Sequence, residues 1–348
     1  MSTDIVQSTT LVLPLEITIH VGAPGAQPAV SAPPKVSVSE RESLKAFEAG
    51  AATEVDRNYR NRKGYDPTFI DGFTVPLPTL SAKGMRRVAH RTDIDASEDD
   101  HLLRYHHYTV VMNRLRRLCF FSAGNTTRDP DLVGTKTREE LNNGSRDTWL
   151  LDERIPDDWQ VGHKEFYLPS IFDRGHIFRR EDGYWGRTEE EAEAGNFDTF
   201  HYTNCTPQHP RFNQSRRGGE WGELENHIAD EVGAERYTIF AGPIFRSDDP
   251  VIEGVQVPRR FWKVVVATNG DDLGAWAFVL DQSRFPFEAP EEAFDAGDFV
   301  NRQTTVHAIE EATDVRFPDV VRRADVLAGR PANESIVLES LASIRGLG

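Results

Sequence analysis

The chain has 348 residues, a formal net charge of -16, 38% hydrophobic and 28% charged residues. That is enough for one large domain or two small ones, and the acidic balance speaks against a general nucleic-acid binder while leaving room for a local basic groove. A mean hydropathy of -0.52, no apolar run near the ~18 residues of a membrane span, an acidic start MSTDIVQSTT unlike a signal peptide and only two cysteines, Cys119 and Cys205, exclude a disulfide framework and a two-thiol zinc site and make cytoplasmic residence, away from membranes, the expectation.

Residues 1–35 differ from the rest. LVLPLEITIHVG (Leu11–Gly22) alternates like a strand, and APGAQPAVSAPP follows as a Pro/Ala-rich linker. A lone strand is not stable by itself, so this segment must pair with the body, pair with another protein or stay disordered, and a partner-binding or disordered, flexible segment is the expectation. Residues 36–100 read as a helical and extended accessory or regulatory region. Ser39 and Glu42 form a capping box for a helix to about Asn61, with Leu44, Phe47 and Ala51 at helical spacing. The basic run Arg57, Arg60, Arg62 and Lys63 reads as a solvated face. Acidic clusters fall at Ser97–Asp100 and Thr188–Glu193.

The body is expected over 101–325, with a C-terminal tail or helix over 326–348. Tyr108–Phe121 reads as one long strand, followed by strands at Glu235–Phe245, Phe261–Thr268 and Ala275–Gln282. Helical spacing covers Gly219–Gly233 and Thr304–Val315. Strands interleaved with few helices predict an α+β body.

Chemistry gathers in FDRGHIFRREDGYWG (Phe172–Gly186). Asp173 precedes His176 by three residues and can orient it. Gly175 relaxes the backbone beside it. Arg174, Arg179, Arg180 and Arg187 raise the local positive potential, which favours the neutral imidazole that a general base must be. Further on, FHYTNCTPQHPRFNQ holds Asn204, Gln208 and Asn213, amides suited to a hard cation. WGELE places Glu225 on a helix just beyond.

FDRGH, TNCTPQ with FNQ, and WGELE together resemble the DNA/RNA non-specific endonucleases, the ββα-metal nucleases of the endonuclease G type. The string DRGHIFRREDGYWG with DTFHYTN is similar to a bacterial branch found beside trypsin-like peptidases. The resemblance covers roughly Arg104–Val320 and implies a ββα-metal (His-Me finger) fold, a central antiparallel sheet flanked by helices. It implies a Mg²⁺-dependent enzyme, with Mn²⁺ as a substitute, that cuts DNA and RNA to 5′-phosphate products. His176 would be the general base, Asn213 the direct metal ligand, and Glu225 a holder of metal-bound water. Asn204 and Gln208 would orient the metal-site loop, and Asp173 and Arg174 would support the box. Arg146 would clamp the phosphate, with Arg154 as the fallback. Arg179, Arg211, Arg216 and Arg217 would contact the nucleic-acid backbone.

SRRGGE between Asn213 and Trp221 is a few residues longer than the usual family spacing. If it loops out at Gly218 and Gly219, Glu225 keeps its role; if not, Glu220 or Glu223 is the carboxylate. Two other readings stand beside the nuclease: a catalytically silent nucleic-acid-binding module on the same fold, and a phosphodiesterase for another substrate class. An unsecreted non-specific nuclease endangers its own cell. A regulatory protein or inhibitor acting through residues 1–100, in a bacterial defence or toxin setting, is therefore expected, and the resemblance also admits a homodimer.

Overall fold

Apolar residues alternate along three consecutive strands and split between two faces of one sheet. In Arg260–Asn269, Phe261, Val265 and Ala267 point to one face, and Trp262, Val264 and Val266 to the other. Both faces are therefore covered. The computed structural model describes residues 56–97, 99–141, 147–232, 235–287, 301–330, 335–338 and 340–345. They belong to the unit Ala52–Gly348. The expected strand Leu11–Gly22, its linker and most of the expected helix Ser39–Asn61 lie outside the described residues. The described end of that helix is a single 3-10 turn, Tyr59–Asn61, after which Arg62 is extended.

The main sheet has eight strands among the described residues: β1 (Leu103–Arg104), β2 (Tyr108–Asn113), β3 (Leu118–Thr127), β6 (Arg236–Ile244), β7 (Arg260–Asn269), β8 (Asp272–Asp281), β9 (Arg302–Thr304) and β10 (Ile336–Val337). Their spatial order is β10-β9-β8-β7-β6-β3-β2-β1, and every pairing is antiparallel. A separate short hairpin supplies β4 (Asp173–His176) and β5 (Cys205–Gln208). Six helices matter here: α1 (Arg180–Gly183), α2 (Glu189–Asp198), α3 (Pro210–Asn213), α4 (Glu220–Glu231), α5 (Val306–Ala312) and α6 (Asp319–Ala324).

One face of the sheet is covered by Trp221, Leu224 and Ile228 of α4 together with Ile177, Phe178 and Phe212. The other is covered by Val306, Ile309 and Val321 of α5 and α6 and by Tyr65, Ile70, Val75 and Val88. The region expected as an accessory segment over 36–100 thus contributes core residues to the same unit as the body. The expected tail packs onto it as well: Leu327 is buried, and Leu338 and Leu341 lie partly buried against the core.

The structure corrects several expectations. Tyr108–Phe121 is a hairpin, β2 and β3, instead of one strand. The Asn113 side chain accepts from the backbone N–H groups of Leu115 and Arg116, and Arg117 takes φ +61, so the chain reverses without Gly or Pro. The helix expected from Thr304 starts at Val306: Thr304 belongs to β9, and Thr305 caps the helix by accepting from Ala308 N–H. The acidic cluster Thr188–Glu193 opens α2, where Thr188 caps and three glutamates meet the positive end of the helix. Arg62 lies on no solvated face. It is buried, with its guanidinium forked onto Asp198 at 2.9 and 3.1 Å.

Candidate active site

The sequence DRGH forms β4 and pairs antiparallel with CTPQ in β5, so that His176 lies opposite Cys205 and Asp173 opposite Gln208. The chain between the strands carries α1 and α2; after β5 it runs into α3 and then α4. Two strands followed by a helix make up the ββα unit.

Alternation along β4 divides the site into two sides. Arg174 and His176 share one side, and both meet Trp149: the imidazole lies 4.8 Å from the indole, and the Arg174 guanidinium 5.2 Å above it. Phe200 closes on His176 edge-on at 5.1 Å. Nε2 of His176 is buried and has no hydrogen-bond partner among the described residues. Burial pushes its pKa down to about 4; Arg180 and Arg138 add to that, and Glu181 and Asp147 oppose it. Burial, more than the arginines, is what favours the neutral form of this imidazole. Glu181 stays ionised at about 2: burial acts to raise it, and Arg179 and Arg180 outweigh burial.

Asp173 and Gly175 occupy the other side. One Asp173 oxygen accepts from the Asn213 amide at 3.0 Å and from the Gln214 amide at 2.6 Å. With its nitrogen committed to Asp173, Asn213 presents its carbonyl oxygen as the atom left to coordinate a cation. Gly175 is covered by the buried Gln208 side chain; a Cβ there would come within 2.1 Å of Gln208 Oε1. Asn204 is fully buried. Its oxygen accepts from Phe178 N–H at 3.0 Å, and its nitrogen donates to the carbonyls of Phe178 and Thr199. It fixes the backbone just after His176 and touches no open surface.

The longer segment after Asn213 does loop out. Ser215–Arg217 forms a 3-10 turn, Gly218 takes φ +70, and α4 begins at Glu220. Gly222 lets α4 approach α3: a Cβ there would lie 2.6 Å from the backbone carbonyl oxygen of Asn213. Glu225 projects inward and binds Lys263 Nζ at 3.0 Å. Burial raises its pKa, while Lys263 and Arg179 act to lower it. Glu220 instead pairs with Arg284 and, with Glu223, lines a separate cavity that also includes Leu280 and Leu341.

The arginines fall into distinct groups. Arg211, Arg216 and Arg217 are exposed around the end of α3, and Arg187 is exposed before α2. Arg179 is partly buried, bonded to Glu181 at 2.9 Å and held positive by Asp182, Glu225 and Glu181. Arg154 is overturned as a phosphate clamp. It is 2% exposed, paired with Asp152 at 2.6 Å, with its guanidinium 4.1 Å from the Tyr59 ring and 4.7 Å from the Tyr105 ring. Arg146 lies outside the described residues.

Sequence reasoning missed Trp149, Gln214 and Lys263. Lys263 alone left a visible signal, a single charge inside the apolar run FWKVVVA. Among the described residues no three His, Cys, Asp or Glu side chains cluster as a metal site, so an ion here would rest on amide oxygen and water.

A family model of DNA/RNA non-specific endonucleases matches residues 88–324. The chain belongs to the DNA/RNA non-specific endonuclease family. Among relatives, an uncharacterized protein, y4fB, of Sinorhizobium fredii is 33% identical over 287 residues, 78% of this chain and 41% of that protein. A nuclease of a Nostoc species is 29% identical over 180 residues, 51% of this chain and 62% of that protein. The chain therefore spans less than two thirds of either relative. A solved EndoG/EndoGI complex matches at a TM-score of 0.47 and 20% identity, over 64% of this chain and 86% of that one. The α+β architecture, with its large antiparallel sheet and ββα unit, is that of a ββα-metal nuclease.

Proposed function

We propose that this member of the DNA/RNA non-specific endonuclease family hydrolyses phosphodiester bonds of DNA and RNA with little sequence preference, leaving 5′-phosphate ends, and that His176 is its general base. One observation carries the reading: an unpartnered imidazole held neutral by burial stands on the strand whose Asp173 orients the Asn213 amide.

The residues present suit a hard divalent cation, Mg²⁺ or Mn²⁺. The Asn213 carbonyl oxygen would hold it, and the Glu225 carboxylate would hold its water. Such a cation, when bound, supplies charge neutralisation at the phosphate and at the departing oxygen. His176 Nε2 accepts a proton from the attacking water as the water oxygen bonds to phosphorus; the P–O3′ bond breaks with its electron pair leaving on O3′, which takes a proton from solvent to give the 3′-hydroxyl. Arg174, on the same side of β4 as His176, is the described arginine best placed to meet the charge that builds on the phosphate. Arg211 and Arg216, exposed near Asn213, would follow the nucleic-acid backbone and read no base.

The test is degradation of plasmid DNA and of a single-stranded RNA with Mg²⁺, with and without EDTA, followed by end analysis. Loss of both substrates, 5′-phosphate ends and abolition by EDTA are expected. Cleavage unaffected by EDTA, or retained by His176→Ala, would overturn the reading.

A further inference from the structure

Strand alternation puts Lys263 on the same face of β7 as Phe261 and Val265, the face covered by Trp221 and Leu224 of α4. Its side chain is 0% exposed. An ammonium in that position is strongly unfavourable unless paired. Nζ meets Glu225 Oε1 at 3.0 Å and lies 4.4 Å above the Trp221 ring. Glu225 is itself 10% exposed, and it lies on α4 one turn after Gly222, where that helix packs on the backbone of Asn213. A lysine has three donors and no acceptor, and a carboxylate has two oxygens. Lys263 thus engages Glu225 Oε1 from the sheet side, and its bond leaves Oε2 uncommitted to the lysine.

We infer that Lys263 is a positioning residue: from the centre of the sheet it fixes the Glu225 carboxylate so that its second oxygen holds the water shell of the cation at Asn213. The inference rests on the proposed metal-dependent reading. It extends the site's machinery to a residue in the sheet, outside the ββα unit.

The experiment titrates Mn²⁺ alone into the full chain, without nucleic acid, by electron paramagnetic resonance, with a thermal melt of each variant. Outer contacts to a metal site are typically worth about 10–100-fold in affinity. Lys263→Met is therefore expected to weaken Mn²⁺ binding at least about tenfold. The same change in a Glu225→Gln background is expected to add nothing, because Lys263 acts only through Glu225. Lys263→Gln keeps an N–H donor, and partial recovery of Mn²⁺ binding is expected from it; it also serves if Lys263→Met does not fold. A folded Lys263 variant with unchanged Mn²⁺ affinity, or one whose effect persists in Glu225→Gln, overturns the inference. Asn213→Ala is run alongside. If it binds Mn²⁺ like the unaltered chain, the reading of the metal site fails instead.

Discussion

Asn213 donates its side-chain N–H to Asp173 at 3.0 Å, and this bond, with the one from Gln214 to the same oxygen, joins the end of α3 to the strand that carries His176. The two residues are forty positions apart, and the bond determines which end of the amide faces outward. Replacing Asp173 by Ala removes the acceptor and frees the Asn213 amide to flip. A loss of about 10–100-fold in activity is expected, with Mn²⁺ affinity falling in parallel. The side chain is partly exposed, so stability should change by less than about 1 kcal/mol. Asp173→Asn should recover part of the loss, since its oxygen still accepts. Steady-state rates and melts of both variants check this.

His176→Ala should lower the chemical rate by about 10²–10⁴-fold, the range for loss of a general base, while nucleic-acid binding persists. Trp149 packs against the imidazole at 4.8 Å and contributes to its burial. Trp149→Ala lets water in and moves the imidazole pKa up from about 4 towards its ordinary value. A pH–rate profile should then show a new acidic limb near pH ~6.5. A profile unchanged in shape would mean that the indole does not control the base.

Gly175→Ala should destabilise the chain by about 1–3 kcal/mol, as overpacking does in a filled core. The new methyl would meet Oε1, Cδ and Cγ of Gln208, a fully buried side chain, so Gln208 must shift inside the core to make room. Activity should fall as well, because β4 must shift and takes His176 with it. Gln208→Ala in the same chain should restore most of the stability, and the double-mutant cycle measures that coupling.

What could be read from the residues depended on how local the deciding force is. The strands around Tyr237, Val264 and Trp276 were legible because long apolar runs must be buried on both faces. Helix α4 was legible from Trp221, Leu224 and Ile228. Helix α2 was not: its buried side consists of Ala192, Gly195, Asn196 and Asp198, with no apolar period to see. The hairpin at Arg114–Arg117 was hidden because a side-chain bond from Asn113 and a left-handed arginine replace the usual Gly or Pro. At the site, DRGH, Asn213 and Glu225 stood out as a pattern. Trp149 did not, since its contact with His176 is tertiary. Arg154 misled because a buried ion pair with Asp152 and a phosphate clamp look alike in sequence.

Exposed Arg211 and Arg216 make the proposed nucleic-acid interface testable by salt. Each phosphate neutralised contributes a slope of about -0.9 on duplex DNA in log affinity against log salt. Arg211→Ala and Arg216→Ala should each weaken binding of catalytically inactive His176→Ala protein and flatten that slope by about 1, for all sequences alike. Arg154→Ala should instead strand the buried Asp152 carboxylate and destabilise the fold by about 3–5 kcal/mol. A fold of normal stability with weakened binding would return Arg154 to the phosphate.

Acid should destabilise this chain through its buried imidazoles. His107 and His176 are both pushed down to about 4, each chiefly by burial. An unfolded histidine titrates near ~6.5. Between those values the unfolded chain binds more protons than the folded one, so stability rises with pH. Their contribution is fully present above about pH 6.5 and is lost as pH falls through about 4. Melting temperatures should decline steadily across that window and level off towards neutral pH. His107 has φ +68 and stacks on Trp185 at 3.6 Å, so Asn, which tolerates the left-handed region, is the suitable replacement. His107→Asn should lower the melting temperature at pH 7 through lost stacking, yet shrink its fall between pH 6.5 and 4.5. An undiminished fall would assign the acid sensitivity to other groups.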